Sequence, residues 1–210
     1  GAGTAGCVMA NRLSACGRFT VLLLEAGVAD RSALIRLPIG FGALFDHPKL
    51  NWRLKSEPEA NLKSRTISQP RGKVLGGSSA INGMMYVRGQ PEDYDAWAAA
   101  GNSGWSWTEV FPYFLRSENN ESGDSQWHGR GGELNVSRVR YRPLLADVFI
   151  EAAVQAGIPR NADINGPHQA GIDYTALNQK NGGRVSAARA FLEPARRRRN
   201  AVEGGAAWLR

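Results

Sequence analysis

An α/β fold with a parallel sheet is predicted by three features of this sequence. Glycines spaced G-x-G-x-x-G (Gly1, Gly3 and Gly6) open the chain. A short apolar run, FTVLLLEAG, follows and ends in the acid Glu25. A second glycine-rich segment, RGKVLGGSSAINGMMYVRG, spans Arg71 to Gly89. Glycine turn, helix and buried strand in that order are the second half of a βαβ unit.

The elements follow from local pattern. Val8, Met9, Ala10 and Leu13 lie among small or polar residues and suit a helix packed on a sheet, with Cys16-Gly17 as its stop. The continuous apolar run at Val21–Leu24 reads as a fully buried parallel strand. Residues 28–70 carry Pro38, Pro48, Pro58 and Pro70 and predict an irregular excursion, ordered and packed through Phe41, Phe45 and Trp52. Pro91, the acids after it and Gly101 delimit a helix. Trp105, Trp107, Val110, Phe111, Phe114 and Leu115 form an aromatic helix face, interrupted at Pro112, that suits core packing. Apolar residues at Leu145, Val148, Phe149, Ala152 and Ala153 predict an amphipathic helix ended by Gly157. Ile172, Tyr174 and Ala176 alternate as in a strand that Asn181-Gly-Gly closes. Ser186 caps a helix through SAARAFLEPA, and the final EGGAAWLR is a poor strand.

Composition narrows the function classes. The chain has 210 residues, 42% hydrophobic, and no apolar run long enough to span a membrane. Net charge is +7, but seven Arg and two Glu between Arg184 and Arg210 supply +5 of it. Arg196–Arg199 follow a helical pattern without interleaved aromatics, which fits a solvated helix end and not a nucleic-acid surface. Cys7 and Cys16 have no metal or disulfide spacing and read as reduced thiols, and no metal cluster is present.

The chemistry lies in the two glycine segments. Glu25 stands 19 residues after Gly6, where an acid accepts hydrogen bonds from a ribose hydroxyl and repels a 2′-phosphate. A pyrophosphate would sit on the free N–H groups of the helix starting near Gly6. In the second segment Gly76 and Gly77 allow close backbone approach, and Ser78 and Ser79 can donate to phosphate oxygens. Asn82, Gly83, Met84 and Met85 can present backbone N–H groups to a flat polar ring edge. The residues so far specify an adenine dinucleotide without choosing between NAD and FAD.

Gly72-Lys-x-Leu-Gly-Gly-Ser-Ser-x-Ile-Asn82, with Tyr86, Gly89 and Asp95, resembles the signature of the glucose-methanol-choline (GMC) oxidoreductases. NWRLKSEPE, HGRGGELNV, AGIPRNADINGPHQAGI and GRVSAARAFLEPA resemble further segments of that family in family order. The likeness is greatest to choline dehydrogenases and related bacterial alcohol dehydrogenases. It implies a Rossmann-like FAD-binding domain and oxidation of an alcohol to an aldehyde or ketone by hydride transfer to the flavin. Quinone, a carrier or oxygen would accept the electrons.

By the same resemblance Gly1, Gly3 and Gly6 cradle the pyrophosphate and Glu25 holds the ribose. Val74, Gly76, Gly77 and Asn82 to Met85 line pyrophosphate and flavin. Some relatives tether FAD through a His just before the Asn; Ile81 stands there, so FAD is expected to be non-covalent. His47, His128 and His168 match no catalytic motif, and His128 reads as structural or surface. No catalytic residue is therefore expected in this chain, the His base belonging to a C-terminal part. The expected organisation is one partial FAD-binding domain over 1–210, lacking its first strand and C-terminal part. Within it lie glycine turn, helix and strand (1–27), a cofactor-covering region (28–70), signature and helix (71–101), and the start of substrate-domain elements (102–210). A truncated, inactive FAD-binding module is the alternative. A cytoplasmic or membrane-peripheral location is expected.

Overall fold

Gly3 ends an extended segment (φ −71°, ψ −172°), and the chain winds at once into helix α1, Thr4–Ala15. Small residues on one face let α1 lie close to its neighbours: Cys7, Ala10, Asn11 and Ser14 are buried. Cys16 closes the helix and Gly17 turns away at φ +71°, as the Cys-Gly stop predicts. The computed structural model of the protein describes residues 1–123 and 125–204, which divide into two units, Gly1–Met84 with the segment from Asn181, and Met85–Lys180.

In the first unit, strand Val21–Leu24 pairs in parallel with Ala201–Gly204. The expected parallel strand forms, but it is not buried on both sides. Leu22 is 63% exposed and Leu24 40%, because α1 covers one face of this pair while no described helix covers the other. Of the segment EGGAAWLR, read as a poor strand, only Glu203 and Gly204 are among the described residues, and both lie in this pairing. Val21 N–H donates to Asn200 O at 2.8 Å and the ladder runs on to Gly204. Backbone pairing here overrides weak propensity; the rest of that segment, 205–210, lies outside the described residues.

Residues 28–70 are ordered, as expected, through short helices at Ala33–Arg36 and Phe41–Leu44 and a two-residue antiparallel pairing of Leu54–Lys55 with Ser68–Gln69. The residues that pack them are not the aromatic ones. Phe41, Phe45 and Trp52 are 40%, 41% and 47% exposed. The core is Ile35, Leu44, Leu50, Val74, Ala80 and Ile81, whose larger aliphatic members each contribute about 1.5–3 kcal/mol by burial. Trp52 instead lies under the Lys73 ammonium, 4.4 Å from the ring centre.

SAARAFLEPA is helical, but with a wide π turn at Ala188–Leu192 before Glu193–Ala195. Ser186 Oγ accepts from Arg189 N–H at 3.3 Å, which satisfies an N-terminal donor. Asn11 of α1 donates to Phe191 O at 2.7 Å, filling a carbonyl within the π turn. The arginine run is only partly solvated: Arg198 donates to Asn11 O and Ser14 Oγ at 2.6 and 2.9 Å, at the C-terminal end of α1, where a cation suits the dipole.

In the second unit, α2 (Pro91–Ala99) and α3 (Trp107–Ser117) begin with capping boxes, Gln90 with Asp93 and Ser106 with Glu109. Helix α3 runs unbroken through Pro112, contrary to the expected interruption. Pro112 and Thr108 both face solvent, so the carbonyl freed by the missing N–H can bond to water. The aromatic face is half-buried, with Trp107 stacked on Phe111 at 4.8 Å and Trp105 left 52% exposed.

Helix α4, Leu144–Gln155, forms where expected but turns the other way. Leu145, Val148 and Phe149 are 80%, 55% and 66% exposed, while Ile150 is buried and Ala146, Ala153 and Val154 are half-buried. Tyr174 Oη donates to Asp147 Oδ1 at 3.0 Å, which fixes the helix's rotation by a polar contact that an apolar moment does not encode. The expected strand over 172–179 reduces to isolated bridges of Ile172 with Arg160 and of Leu177 with Met85 and Ser137, and to a two-residue strand at Gln179–Lys180. Asp173, between two would-be sheet positions, is engaged by Arg160 at 3.0 Å. No described helix is long and apolar enough to cross a membrane.

Candidate functional site

The two glycine segments meet in the first unit. Gly76 N–H donates to Ala2 O at 2.7 Å, so the second loop is bonded to the first. A Cβ on Gly77 would stand 2.8 Å from Gly3 Cα, and Gly77 has φ +55°, so only glycine fits between the two backbones. A Cβ on Gly6 would overlap the Gly1 carbonyl oxygen, which is why the turn into α1 needs a bare residue there. Gly3 is different: a Cβ there would meet nothing within 4 Å. Gly3 is bare where the protein itself imposes no crowding, at the N-cap of a 12-residue helix with no side-chain cap. That leaves N–H groups of the first turn and the positive end of the helix dipole for an anion.

Glu25 is 7% exposed at the end of the strand. Its Oε2 accepts from Ala2 N–H at 2.6 Å and Oε1 from Gly27 N–H at 2.7 Å. The acid thus holds the glycine turn onto the strand, and each oxygen keeps one further lone pair for a ligand hydroxyl. The sequence assigns Glu25 only the ribose; the backbone bonds are a second task.

The signature segment is held from within. Ser78 Oγ accepts from Gly72 N–H at 3.1 Å, and Ser79 Oγ donates to Gly76 O at 2.6 Å while accepting from Ala187 N–H at 2.9 Å. The Ser79 hydroxyl is therefore spent on the loop and not available as a phosphate donor. Of the expected backbone donors, Asn82 N–H is taken by Ser78 O at 2.9 Å and Met84 N–H by Asn82 Oδ1 at 3.1 Å. Gly83 remains open, a Cβ there meeting nothing within 4 Å. Met84 completes this Asx turn in the left-handed region, φ +66°. Val74 and Ile81 are enclosed in the apolar core, so their side chains face neither glycine loop nor solvent. Met85 belongs to the second unit, 66% exposed and bridged to Leu177.

Arg184 was not singled out from sequence. It is 1% exposed, and its guanidinium donates to Ile35 O at 2.9 Å, Ser79 O at 3.2 Å and Asn82 Oδ1 at 2.8 Å. Burial, with no carboxylate beside it, pushes its pKa down to about 10. One of two Arg in a GRVSAAR stretch carries no sequence signal for that position.

His47 and His128 are each held by partners within their own unit. His47 Nδ1 accepts turn N–H groups from Lys49 and Leu50. His128, in the second unit, stands between Glu118 (3.1 Å) and Asp163 (2.8 Å). Glu118 is fully buried and also accepts from Arg88 at 2.7 Å and Gly129 N–H at 2.9 Å. The Glu118 hydrogen bond, followed by that of Asp163, outweighs burial and raises the His128 pKa above its ordinary 6.5. Both ring nitrogens of His128 are thus engaged by carboxylates of the second unit. Among the described residues no group of three His, Cys, Asp or Glu could hold a metal.

A family model described as GMC oxidoreductase matches residues 1–203. An alcohol dehydrogenase (acceptor) from Pseudomonas putida is 47% identical over 193 residues, 91% of this chain and 35% of the relative. An oxygen-dependent choline dehydrogenase from Rhizobium etli is 44% identical over 200 residues, 95% of this chain and 36% of the relative. The crystal structure of pyridoxine 4-oxidase from Mesorbium loti superposes with a TM-score of 0.92 at 35% identity, over 98% of this chain and 41% of that one. The chain spans about 36% of the length of such curated relatives.

Proposed function

Because this chain belongs to the GMC oxidoreductase family, we propose that it is the FAD-binding part of a flavoenzyme that oxidises CH–OH groups of small alcohols. The observation that carries the reading is the bare face of Gly3 at the start of α1, opening onto free space while Gly77 packs behind it. These residues fit a pyrophosphate: first-turn N–H groups for its oxygens, no side chain in its path, and a buried acid nearby for a ribose hydroxyl. Bound FAD would supply the two-electron acceptor for the hydride of the carbinol carbon.

Gly1, Gly3, Gly6, Gly76 and Gly77 hold the pyrophosphate in this reading, Glu25 the ribose, and the Asn82 side chain and the open Gly83 the flavin end, the N–H groups of Asn82 and Met84 being spent within the loop. Val74 supports the loop from the core. Ile81 has no nucleophilic atom, so the cofactor is held without a covalent bond. The relatives named above differ in electron acceptor, and quinone, a carrier or oxygen each suits the chemistry. Residues from 102 onward in the second unit begin the substrate-facing part.

Titration of the purified chain with FAD, followed by quenching of flavin fluorescence, tests the proposal. Saturable binding is expected, with loss on Gly3→Val. Absence of binding, or equal binding by the Gly3→Val chain, would overturn it.

A further inference from the structure

We infer that Arg184 is a positioning residue of the cradle: it locks the Asn82 amide with Oδ1 turned into the protein, so that Nδ2 is offered as a hydrogen-bond donor to the cofactor. The inference rests on the FAD reading of the cradle. Asn82 Oδ1 accepts from two donors, Met84 N–H at 3.1 Å and Arg184 Nη1 at 2.8 Å. Both lone pairs of that oxygen are therefore filled. A flipped amide would set an NH2 group against two N–H donors and lose both bonds. The amide orientation is thus decided by its partners. Asn82 is solvent-exposed, and its Nδ2 makes no bond within the protein among the described residues.

Arg184 is itself fixed. Nε and Nη1 are held by the carbonyls of Ile35 and Ser79, and the residue is buried. Its three acceptors come from two segments of the first unit, Ile35 and the loop from Ser79 to Asn82, and none is a carboxylate. A guanidinium can fork across these oxygens; an ammonium on a flexible stem cannot. The arrangement reaches into the cradle because Ser79 also bonds Gly76 O, and Asn82 precedes the open Gly83. A residue placed only to staple loops would leave the direction of the Asn82 amide without consequence, and this separates the two roles.

The test compares the 210-residue chain with its Asn82→Asp and Arg184→Lys variants. FAD binding is followed by flavin fluorescence, thermal unfolding is measured, and the Asn82 side-chain amide signals are recorded by NMR without FAD. Asp keeps an oxygen for both inward donors but removes the outward N–H. Its midpoint is expected to hold within a few degrees while FAD affinity falls about tenfold, the loss of one hydrogen bond. In Arg184→Lys the Asn82 amide signals are expected to move and lose order, with a similar fall in affinity. Unchanged amide signals in Arg184→Lys, or undiminished FAD affinity in a folded Asn82→Asp chain, would overturn the inference. Failure of the wild-type chain to bind FAD would sink the FAD reading instead. The amide signals would still decide whether Arg184 orients Asn82.

Discussion

Gly3→Ala separates the needs of the fold from those of the ligand. Gly3 has φ −71° and ψ −172°, a conformation any residue adopts, and its added Cβ meets nothing within 4 Å. Two small effects on stability oppose each other. Alanine is a poorer N-cap than glycine by a few tenths to about 1 kcal/mol, and it lowers unfolded-chain entropy by about 0.4–1 kcal/mol. The net change is therefore within about 1 kcal/mol of zero. With a phosphate on the helix end the same methyl occupies the approach path. Displacement by the width of a methyl group removes one or two charge-assisted N–H bonds, each about 1.5–3 kcal/mol. The expected result is an unfolding midpoint within a few degrees of wild type and an FAD affinity lowered on the order of 100-fold. Thermal unfolding and fluorescence titration on the same sample read both quantities. Gly6→Ala is the contrast, since its Cβ overlaps the Gly1 carbonyl oxygen and must disturb the turn itself. If Gly3→Ala binds FAD within about threefold of wild type, the anion does not approach Gly3 and the reasoning fails.

Other consequences concern stability. His128 titrates above its ordinary 6.5 because the folded protein binds its proton more tightly, so the folded state holds more protons than the unfolded one. Its contribution is complete below 6.5 and lost as pH rises through the raised value; thermal midpoints should fall on the alkaline side, and His128→Gln should flatten that slope. Burial opposes ionisation of Glu118, but hydrogen bonds from His128 and Gly129 with the Arg88 charge outweigh it and hold the carboxyl low, so acid loss begins only below the ordinary 4.5. On α4, Ile150→Ala should cost about 2–4 kcal/mol and Phe149→Ala less than about 1 in denaturant unfolding, since Ile150 is 5% exposed and Phe149 66%. Equal costs would mean that the helix is rotated otherwise. Arg198→Ala removes donors to Asn11 O and Ser14 Oγ and should cost about 1–2 kcal/mol; a midpoint shift no larger than that of Arg197→Ala would refute the docking of Arg198.

Local signals were legible wherever backbone chemistry sets the outcome. The stop at Cys16-Gly17 and the start at Pro91 both follow from residue types at fixed offsets. Side-chain direction was less legible. Leu145, Val148 and Phe149 carry the stronger apolar signal, yet Asp147, bonded to Tyr174, turns α4 about its axis. Phe41, Phe45 and Trp52 outweigh Ile35, Leu44 and Leu50 in size, but the smaller residues fill the core. A hydrophobic pattern states that a face exists and not which neighbour covers it.

For the site, sequence by itself determined the family, the two glycine loops and the acid at the end of the strand, because a tight turn and a close approach of two backbones each demand glycine whatever surrounds them. Only the tertiary structure decided that Gly77 packs on Gly3, that Glu25 spends an oxygen on each of two backbone N–H groups, and that Ser79 is consumed within its own loop. It also brought Arg184 beneath Asn82, although 102 positions separate them in the chain. Hydrogen-bond partners are chosen by proximity in space, and proximity across such a separation is a property of the fold that no local spacing records.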